Sequence, residues 1–286
     1  MTDLITTGWD EYRLLDCGEG RKLEKFGPYI VDRPEPQAMG ARRLPPERWT
    51  NADAVFAGEN DAEDGRWNYR KPLPETWITH YRDVKFRGRF TPFRHVGYFP
   101  EQAPHWDYMI DNIKTQTEPK LLNLFAYTGV ASLLAAKAGA HVTHVDASKK
   151  AMAYAAENQK DAALDSAPIR WICEDARKFV AREGRRGNKY NGILVDPPKF
   201  GRGPNKEVWN LFDDLKDMLQ LCAAILEEKN SYLILTTYAV RASHWAMYEL
   251  CREVFKGASV ESGELIVQEE NQGRKVATSL YCRVKY

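Results

Sequence analysis

The chain has 286 residues and a formal net charge of +1, with 43% hydrophobic and 28% charged side chains. It is long enough for one large domain plus a smaller one, and the mix is that of a globular protein. A balance this near neutrality argues against gripping nucleic acid by bulk charge, although it leaves room for local basic patches.

Residues 1 to about 95 are rich in Pro, Gly, Arg and aromatics. Short β-prone pieces at Tyr29–Val31, Arg66–Tyr69, Trp77–Tyr81 and Val84–Phe90 predict a small β-rich domain. Between Gly58 and Gly65 the acids Glu59, Asp61, Glu63 and Asp64 mark a solvated loop. The stretch Tyr81–Arg94 interleaves Arg82, Lys85, Arg87, Arg89 and Arg94 with Tyr81, Phe86, Phe90 and Phe93. Arginines and aromatics are the tools for holding unstacked bases, so RNA contact competes here with a hairpin that has one solvated basic face. A second basic cluster, Arg182, Arg185, Arg186 and Lys189, reads better as a solvated face.

From about residue 96 the chain alternates strand and helix signals, which predicts an α/β layer fold over 96–286. Strands are expected at Leu121–Phe125, His141–Asp146, Ile169–Cys173, Gly192–Val195 and Tyr232–Thr237. Helices are expected at Val130–Ala140, at Lys149–Ala163 behind Ser148 as N-cap, and at Ala176–Glu183, Glu207–Glu228 and Ser243–Phe255. The ending differs: Ser259–Gln268 and Ala277–Val284 are both β-rich and predict a hairpin where another helical crossover would normally stand.

The chemistry gathers at the ends of those strands. Ile193-Leu194-Val195 runs into Asp196-Pro197-Pro198-Lys199-Phe200, which puts an acid, two rigid carbonyls and an aromatic at the carboxyl edge of the sheet, where ligands bind. Prolines remove backbone donors and leave acceptors, so the group suits a planar ring bearing an amino group. After the first strand, Phe125-Ala126-Tyr127-Thr128-Gly129 is a small-residue turn into a helix. It holds one glycine and not G-x-G-x-x-G, a poor cradle for phosphate. Asp146 ends the second strand, where an acid holds ribose hydroxyls, with Ala147 and Ser148 in the same turn. Asp175 follows the third strand and is placed to accept from an adenine amino group, with Ile172 or Ala176 packing on the ring and Glu174 as an adjacent competitor. Each acid alone also reads as a charge at a helix N-terminus. Together they fit S-adenosyl-L-methionine (SAM), a nucleoside cofactor without phosphate.

Asn-Leu-Phe-Ala-Tyr-Thr-Gly (123–129), His-Val-Asp-Ala-Ser (144–148), Glu-Asp-Ala (174–176), Val-Asp-Pro-Pro-Lys-Phe (195–200) and Leu-Tyr-Cys-Arg-Val (280–284) resemble the bacterial SAM-dependent ribosomal-RNA methyltransferases, the family that includes the large-subunit cytosine-C5 enzyme. The resemblance covers roughly residues 95–286. It implies a Rossmann-like sheet closed by an antiparallel C-terminal hairpin, SAM as cofactor and RNA, in particular ribosomal RNA, as partner. Gly97-Tyr98-Phe99-Pro100-Glu101-Gln102 resembles a family segment that folds over the cofactor, which would add Phe99 and Gln102 to the cofactor contacts.

One departure matters. Methylation at cytosine C5 needs a thiolate to attack C6, and similar enzymes carry that cysteine after the fifth strand. Here Leu235-Thr236-Thr237-Tyr238-Ala239-Val240-Arg241 has none. Cys222 and Cys251 fall within predicted helices and read as small buried hydrophobes. Resemblance to the Asp/Asn-Pro-Pro-aromatic amino methyltransferases then assigns Asp196 and the Pro197 carbonyl to the target amine and Phe200 to the base, so nitrogen is expected ahead of carbon. Protein or small-molecule methylation, and a SAM- and RNA-binding assembly protein without turnover, are the competing readings. No membrane span approaches the required roughly 20 apolar residues, and Met1-Thr2-Asp3-Leu4 lacks a signal-peptide layout. Five scattered cysteines (Cys17, Cys173, Cys222, Cys251, Cys282) without C-x-x-C predict reduced thiols in the cytoplasm and no metal site.

Overall fold

The computed structural model describes residues 2–58, 65–238, 240–271 and 273–286. The acidic loop residues Glu59, Asp61, Glu63 and Asp64 lie outside them. The chain divides into two compact units: Ile5–Ala103 with Ile266–Thr278, and Pro104–Leu265 with Ser279–Tyr286 and the residues before Ile5.

The first unit follows a short strand, β1 (Leu4–Thr6), with β2 (Tyr12–Gly18), β3 (Arg21–Phe26), β4 (Tyr29–Pro34), helix α1 (Pro46–Thr50), β5 (Ala54–Ala57) and β6 (Arg66–Tyr69). These five strands form a sheet in the order β2-β3-β4-β5-β6. A separate ribbon pairs β7 (Thr76–Tyr81) with β8 (Val84–Arg89). Trp9, Tyr12, Phe26, Tyr81, Phe86 and Tyr98 pack ring to ring in its interior. Beside them lies a buried charge network. Arg33 grips the fully buried Glu24 through both carboxylate oxygens, and Lys22 bridges Glu24 and Glu35 at 3.6 and 3.2 Å. Burial alone would push Glu24 up, but Arg33 and Lys22, with hydrogen bonds from Arg33 and Tyr12, hold its carboxyl at about 2.

In the second unit, α2 (Ala103–Lys114) leads into β9 (Lys120–Leu124), α3 (Val130–Lys137), β10 (His141–Asp146), α4 (Lys149–Asp161), β11 (Ile169–Cys173), α5 (Ala176–Arg185) and β12 (Gly192–Val195). A small ribbon of β13 (Phe200–Arg202) and β14 (Val208–Asn210) precedes α6 (Leu211–Ile225), β15 (Tyr232–Tyr238), α7 (His244–Val254), β16 (Ser259–Gln268) and β17 (Lys275–Lys285). The eight-stranded sheet runs β1-β16-β17-β15-β12-β9-β10-β11. The pairs from β15 to β11 are parallel, and β17 joins β15 antiparallel. This is the expected Rossmann-like sheet with its terminal hairpin, and the expected β-rich N-terminal sheet is present too.

Leu122, Leu124, Val145, Ile193, Val195, Leu233 and Leu235 point to one face, where α5, α6 and α7 bury them. On α6 the apolar residues Leu211, Leu215, Met218, Leu219, Cys222 and Ile225 recur at helical spacing and are all buried. Each is worth about 1.5–3 kcal/mol if fully removed from water. The helix starts four residues later than the periodicity predicts, because Val208–Asn210 pairs with Phe200–Arg202 and Asn210 then caps it, accepting from Phe212 N at 3.2 Å. Among the described residues no helix is long and apolar enough to cross a membrane.

Candidate active site

The register of the parallel strands decides what stands beside what. Leu235, Val195, Leu124 and Val145 are successive partners, so the next residues, Thr236, Asp196, Phe125 and Asp146, emerge side by side at the carboxyl edge. Asp146 in turn is level with Cys173, one residue short of Glu174 and two short of Asp175. From β9 the chain proceeds to β10 and β11 on one side, then to β12 and β15 on the other. That makes the β9–β12 junction the topological switch point, the place where open α/β sheets bind ligands. At about 4.8 Å per strand, Asp146 and Asp196 stand roughly 10 Å apart along the edge, with Phe125 between them.

The turn after β9 is held in a tight bend. Phe125 and Tyr127 both adopt positive φ (55° and 50°), as does Gly129 at 81°, a conformation that costs a residue with a side chain on the order of 1 kcal/mol or more. Surrounding bonds hold it there. Ala126 N donates to Val145 O, Tyr127 N to Asp146 Oδ2 at 2.8 Å, and Asn158 Nδ2 on α4 to Thr128 O at 2.9 Å. A Cβ on Gly129 would meet Ala155 Cβ at 3.2 Å, so this glycine permits close packing on α4 as well as the turn. Beneath the bend, Asn123 donates to Ser132 and Ser132 pairs with His144 Nδ1 at 3.0 Å. Burial lowers the His144 ring to about 3, so it is neutral.

Asp146 accepts from Tyr127 N through one oxygen and from Ser148 N through the other, both at 2.8 Å. Burial raises its pKa, more than these two backbone bonds lower it. A carboxylate has about four acceptor positions, so two remain for a ligand's hydroxyls. Ser148 caps α4 as expected, accepting from Ala151 N at 3.2 Å. Asp175 is buried and caps α5 through Lys178 N at 3.0 Å, and Ala176 is buried behind it. Its competitor Glu174 is committed elsewhere, held by both terminal nitrogens of Arg182 at 2.5 and 2.6 Å.

On the β12 side, Pro197 is buried and Phe200 is 63% exposed. The two proline carbonyls are not equivalent, contrary to the expectation that both are free: Pro198 O accepts from Trp209 Nε1 at 2.6 Å. Trp209 also packs on Phe125 at 5.0 Å between centroids, under the Arg177 guanidinium. Helical periodicity puts this residue in a helix and gives it no role. The signal available is a lone Trp beside a Gly/Pro-rich turn. Asn158 escapes sequence reasoning too, although a buried Asn in an Ala-rich helix face calls for a partner.

The reading of Tyr81–Arg94 needs correction. Arg89 and Arg94 are buried, and Tyr81 and Phe86 belong to the aromatic interior. Only Arg82, Lys85 and Phe93 are exposed among the residues proposed for RNA, Phe93 at 44%. The second basic cluster is a solvated face, as expected: Arg185, Arg186 and Lys189 are exposed, while Arg182 serves Glu174, Arg186 pairs with Glu183, and Lys189 donates to Ala224 O. Phe99 and Gln102 lie in the first unit, flanking and ending a 3₁₀ turn in which Gln102 N donates to Phe99 O. Phe99 packs against His95 there.

All five cysteines are free. Cys222, Cys251 and Cys282 are fully buried, and burial raises the Cys222 thiol. Cys17 belongs to the first unit, its thiol pushed up to about 12 by burial and by Glu269. Cys173 is exposed but level with Asp146, three strands from Asp196.

A doubly wound sheet with an antiparallel end, carrying acids and a single-glycine turn at its switch point, defines a nucleoside-cofactor fold of the methyltransferase type. Comparison with known proteins agrees. A SAM-dependent methyltransferase from Agrobacterium tumefaciens is 51% identical, with a TM-score of 0.96 over all of this chain and 93% of that one. The chain belongs to the SAM-dependent methyltransferases, and its cofactor is S-adenosyl-L-methionine. The family model described as conserved hypothetical protein 95 matches residues 108–244. The ribosomal RNA large subunit methyltransferase K/L of Shewanella frigidimarina is 27% identical over 73% of this chain, and the large subunit methyltransferase I of Pseudoalteromonas translucida 29% over 53%. The aligned regions span 32% and 38% of those two relatives. A Streptococcus mutans methyltransferase, 16% identical with a TM-score of 0.74 over 97% of this chain and 76% of that one, shares the fold.

Proposed function

We propose that this protein methylates a base of ribosomal RNA at an exocyclic or ring nitrogen. The observation that carries the reading is the alignment of Asp196-Pro197-Pro198-Lys199-Phe200 with Asp146 on one sheet edge, with no thiol beside Asp196. The similarity to two large-subunit ribosomal RNA methyltransferases supports the substrate class.

Asp146 accepts from the ribose hydroxyls, with Ala147 and Ser148 shaping the turn. Asp175 uses an oxygen not engaged by its cap for the adenine amino group, and Ala176 packs on the ring. Phe125, Tyr127, Thr128 and Gly129 form the wall of the site. When bound, the cofactor supplies an electrophilic methyl group. Asp196 and the Pro197 carbonyl accept the N–H bonds of the target amine, which fixes the direction of its lone pair, while Phe200 stacks on the base. Rate enhancement then comes mainly from positioning, and a strong general base is optional because the amine sheds its proton after attack. A reducing cytoplasmic setting suits a chain whose five cysteines are all free.

The test is transfer from labelled SAM to total RNA of a strain deleted for this gene, followed by nucleoside mass spectrometry. Label in an N-methylated purine or pyrimidine is the expected result. Label in 5-methylcytidine would overturn the nitrogen assignment. No label in RNA, with SAM binding intact, would overturn the substrate class and favour protein or small-molecule acceptors.

A further inference from the structure

The ribbon formed by β13 and β14 has two unlike faces. Its cross-strand pairs are Phe200 with Asn210, Gly201 with Trp209 and Arg202 with Val208. Cross-strand partners share a face and neighbours alternate. Trp209, on one face, is buried against Phe125 and bonded to Pro198. The other face carries Phe200, Arg202 and Val208 into solvent, Phe200 at 63% and Val208 at 65% exposure. Phe212 continues this surface two residues past the partner of Phe200 and is 56% exposed. Large apolar groups so close together on a surface mark an interaction site.

The charges around this face are sorted by sign. Two nearby acids are paired with cations, Glu207 with Lys178 at 2.5 Å and Asp214 with Arg177, while Asp213 accepts from the neutral Asn210 Nδ2 and keeps its charge. Arg177 also donates to Val208 O at 2.8 Å, which ties the ribbon to α5. The cations are not engaged: Lys199, Arg202 and Lys206 have no ion-pair partner among the described residues, and Lys199 leans over the Phe200 ring at 5.5 Å. Exposed rings interleaved with unpaired cations suit a single strand of nucleic acid, whose bases stack on the rings while its phosphates meet the cations. A protein partner of acidic character would meet the cations equally well but would leave the two phenylalanines without flat partners.

We infer that the exposed face of this ribbon, with Phe212, is a docking platform for the RNA strand flanking the target base. Phe212 stacks a neighbouring nucleotide, and Arg202 and Lys206 contact its phosphates. The inference rests on the RNA reading of the active site. It extends the reacting centre outward from Phe200, which stacks on the target base, to Arg202, Lys206 and Phe212, and the ribbon is anchored from below by Trp209 and from the side by Arg177.

The test uses the full-length enzyme and an RNA fragment that the wild-type enzyme methylates, with affinity measured by fluorescence anisotropy across a salt series. Phe212→Ala should weaken RNA binding about 5- to 150-fold, the range for losing one base stack, with KM for SAM unchanged. Arg202→Gln and Lys206→Gln should each flatten the slope of log affinity against log salt by about 0.7, the value per phosphate on a single strand. Lys216→Gln, on the same helix as Phe212, removes a cation already paired with Glu253 of α7 at 2.7 Å and should leave the slope unchanged. If the wild-type enzyme methylates RNA while all three ribbon variants bind it normally, the platform is wrong and the active-site reading stands. If the wild-type enzyme methylates no RNA, both fail together.

Discussion

Asp146→Asn isolates what the carboxylate at the end of β10 contributes. In the wild-type protein its two oxygens accept from Tyr127 N and Ser148 N at 2.8 Å, which leaves one acceptor position on each for a ribose hydroxyl. A hydrogen bond to a charged group is worth about 1.5–3 kcal/mol, against about 0.5–1.5 for a neutral one. The amide keeps one acceptor, loses the charge and turns an NH2 toward a backbone donor. The expected loss in SAM binding is therefore about 2–3 kcal/mol, or roughly 30- to 150-fold in Kd. The variant's kcat at saturating SAM should stay near that of the wild type, since Asp146 stands two strands from Asp196. Calorimetry against pH adds a second readout. Burial raises the Asp146 pKa despite the bonds from Ser148 and Tyr127, and binding uses the charged form. Wild-type affinity should therefore fall as pH drops through a value above that of an ordinary aspartate, while the Asn variant shows no such step. A Kd within threefold of wild type, or a loss appearing in kcat instead, would refute the assignment.

Asp196→Ala should abolish methyl transfer while leaving SAM affinity within a few-fold, and near-normal turnover would mean that the reacting centre lies elsewhere. Trp209→Phe keeps a ring against Phe125 and deletes the 2.6 Å bond to Pro198 O; at about 0.5–1.5 kcal/mol, kcat should fall roughly 2- to 10-fold with KM for SAM unchanged. A drop in melting temperature with normal kcat would make Trp209 merely structural. Glu24→Gln breaks a buried charge network and should cost about 3–5 kcal/mol of stability, read by chemical denaturation. Because Arg33 and Lys22 hold Glu24 at about 2 against the opposing effect of burial, its contribution is present above the unfolded carboxyl value and is lost as pH falls from about 4.5 through about 2. The variant's stability should lack that acid limb, and an unchanged limb would contradict the pairing.

The parallel sheet was legible because its strands are short apolar runs, the inner ones buried on both faces. His141–Asp146, Ile169–Cys173 and Gly192–Val195 fall where the sequence places them. The acids at their ends were legible as positions only, since each alone also reads as a helix N-terminal charge, and Asp175 does cap α5. The first unit was harder. Arg21-Lys22-Leu23-Glu24-Lys25-Phe26 is not among the β-prone pieces the sequence marks, yet it forms β3 with Lys22 and Glu24 buried, because their charges are matched by Glu35 and Arg33. No local pattern announces a pairing made by residues nine or more positions away. The same limit hid Trp209: helical periodicity from Glu207 onward continues smoothly into α6, while strand pairing with Phe200–Arg202 wins for the first turn.

The distribution of cations explains why this edge suits a cofactor without phosphate. Helix α5 presents Arg177, Lys178 and Arg182 close to the carboxyl edge, and in a phosphate-binding fold such groups would face the ligand. Here each is taken by an acid: Asp214, Glu207 and Glu174. Asp146 and Asp175 meanwhile have no ion-pair partner among the described residues and accept only from backbone N–H groups in the bonds resolved. The edge therefore offers uncompensated negative charge and spare acceptors, while its turn lacks the glycines needed to wrap a pyrophosphate. A dinucleotide would bring two negative charges against these carboxylates. SAM brings hydroxyls, an amino group and a positive sulfonium, and each of these gains from an acid nearby. On the proposed site, the cofactor preference follows as much from where the basic residues of α5 are spent as from the acids themselves.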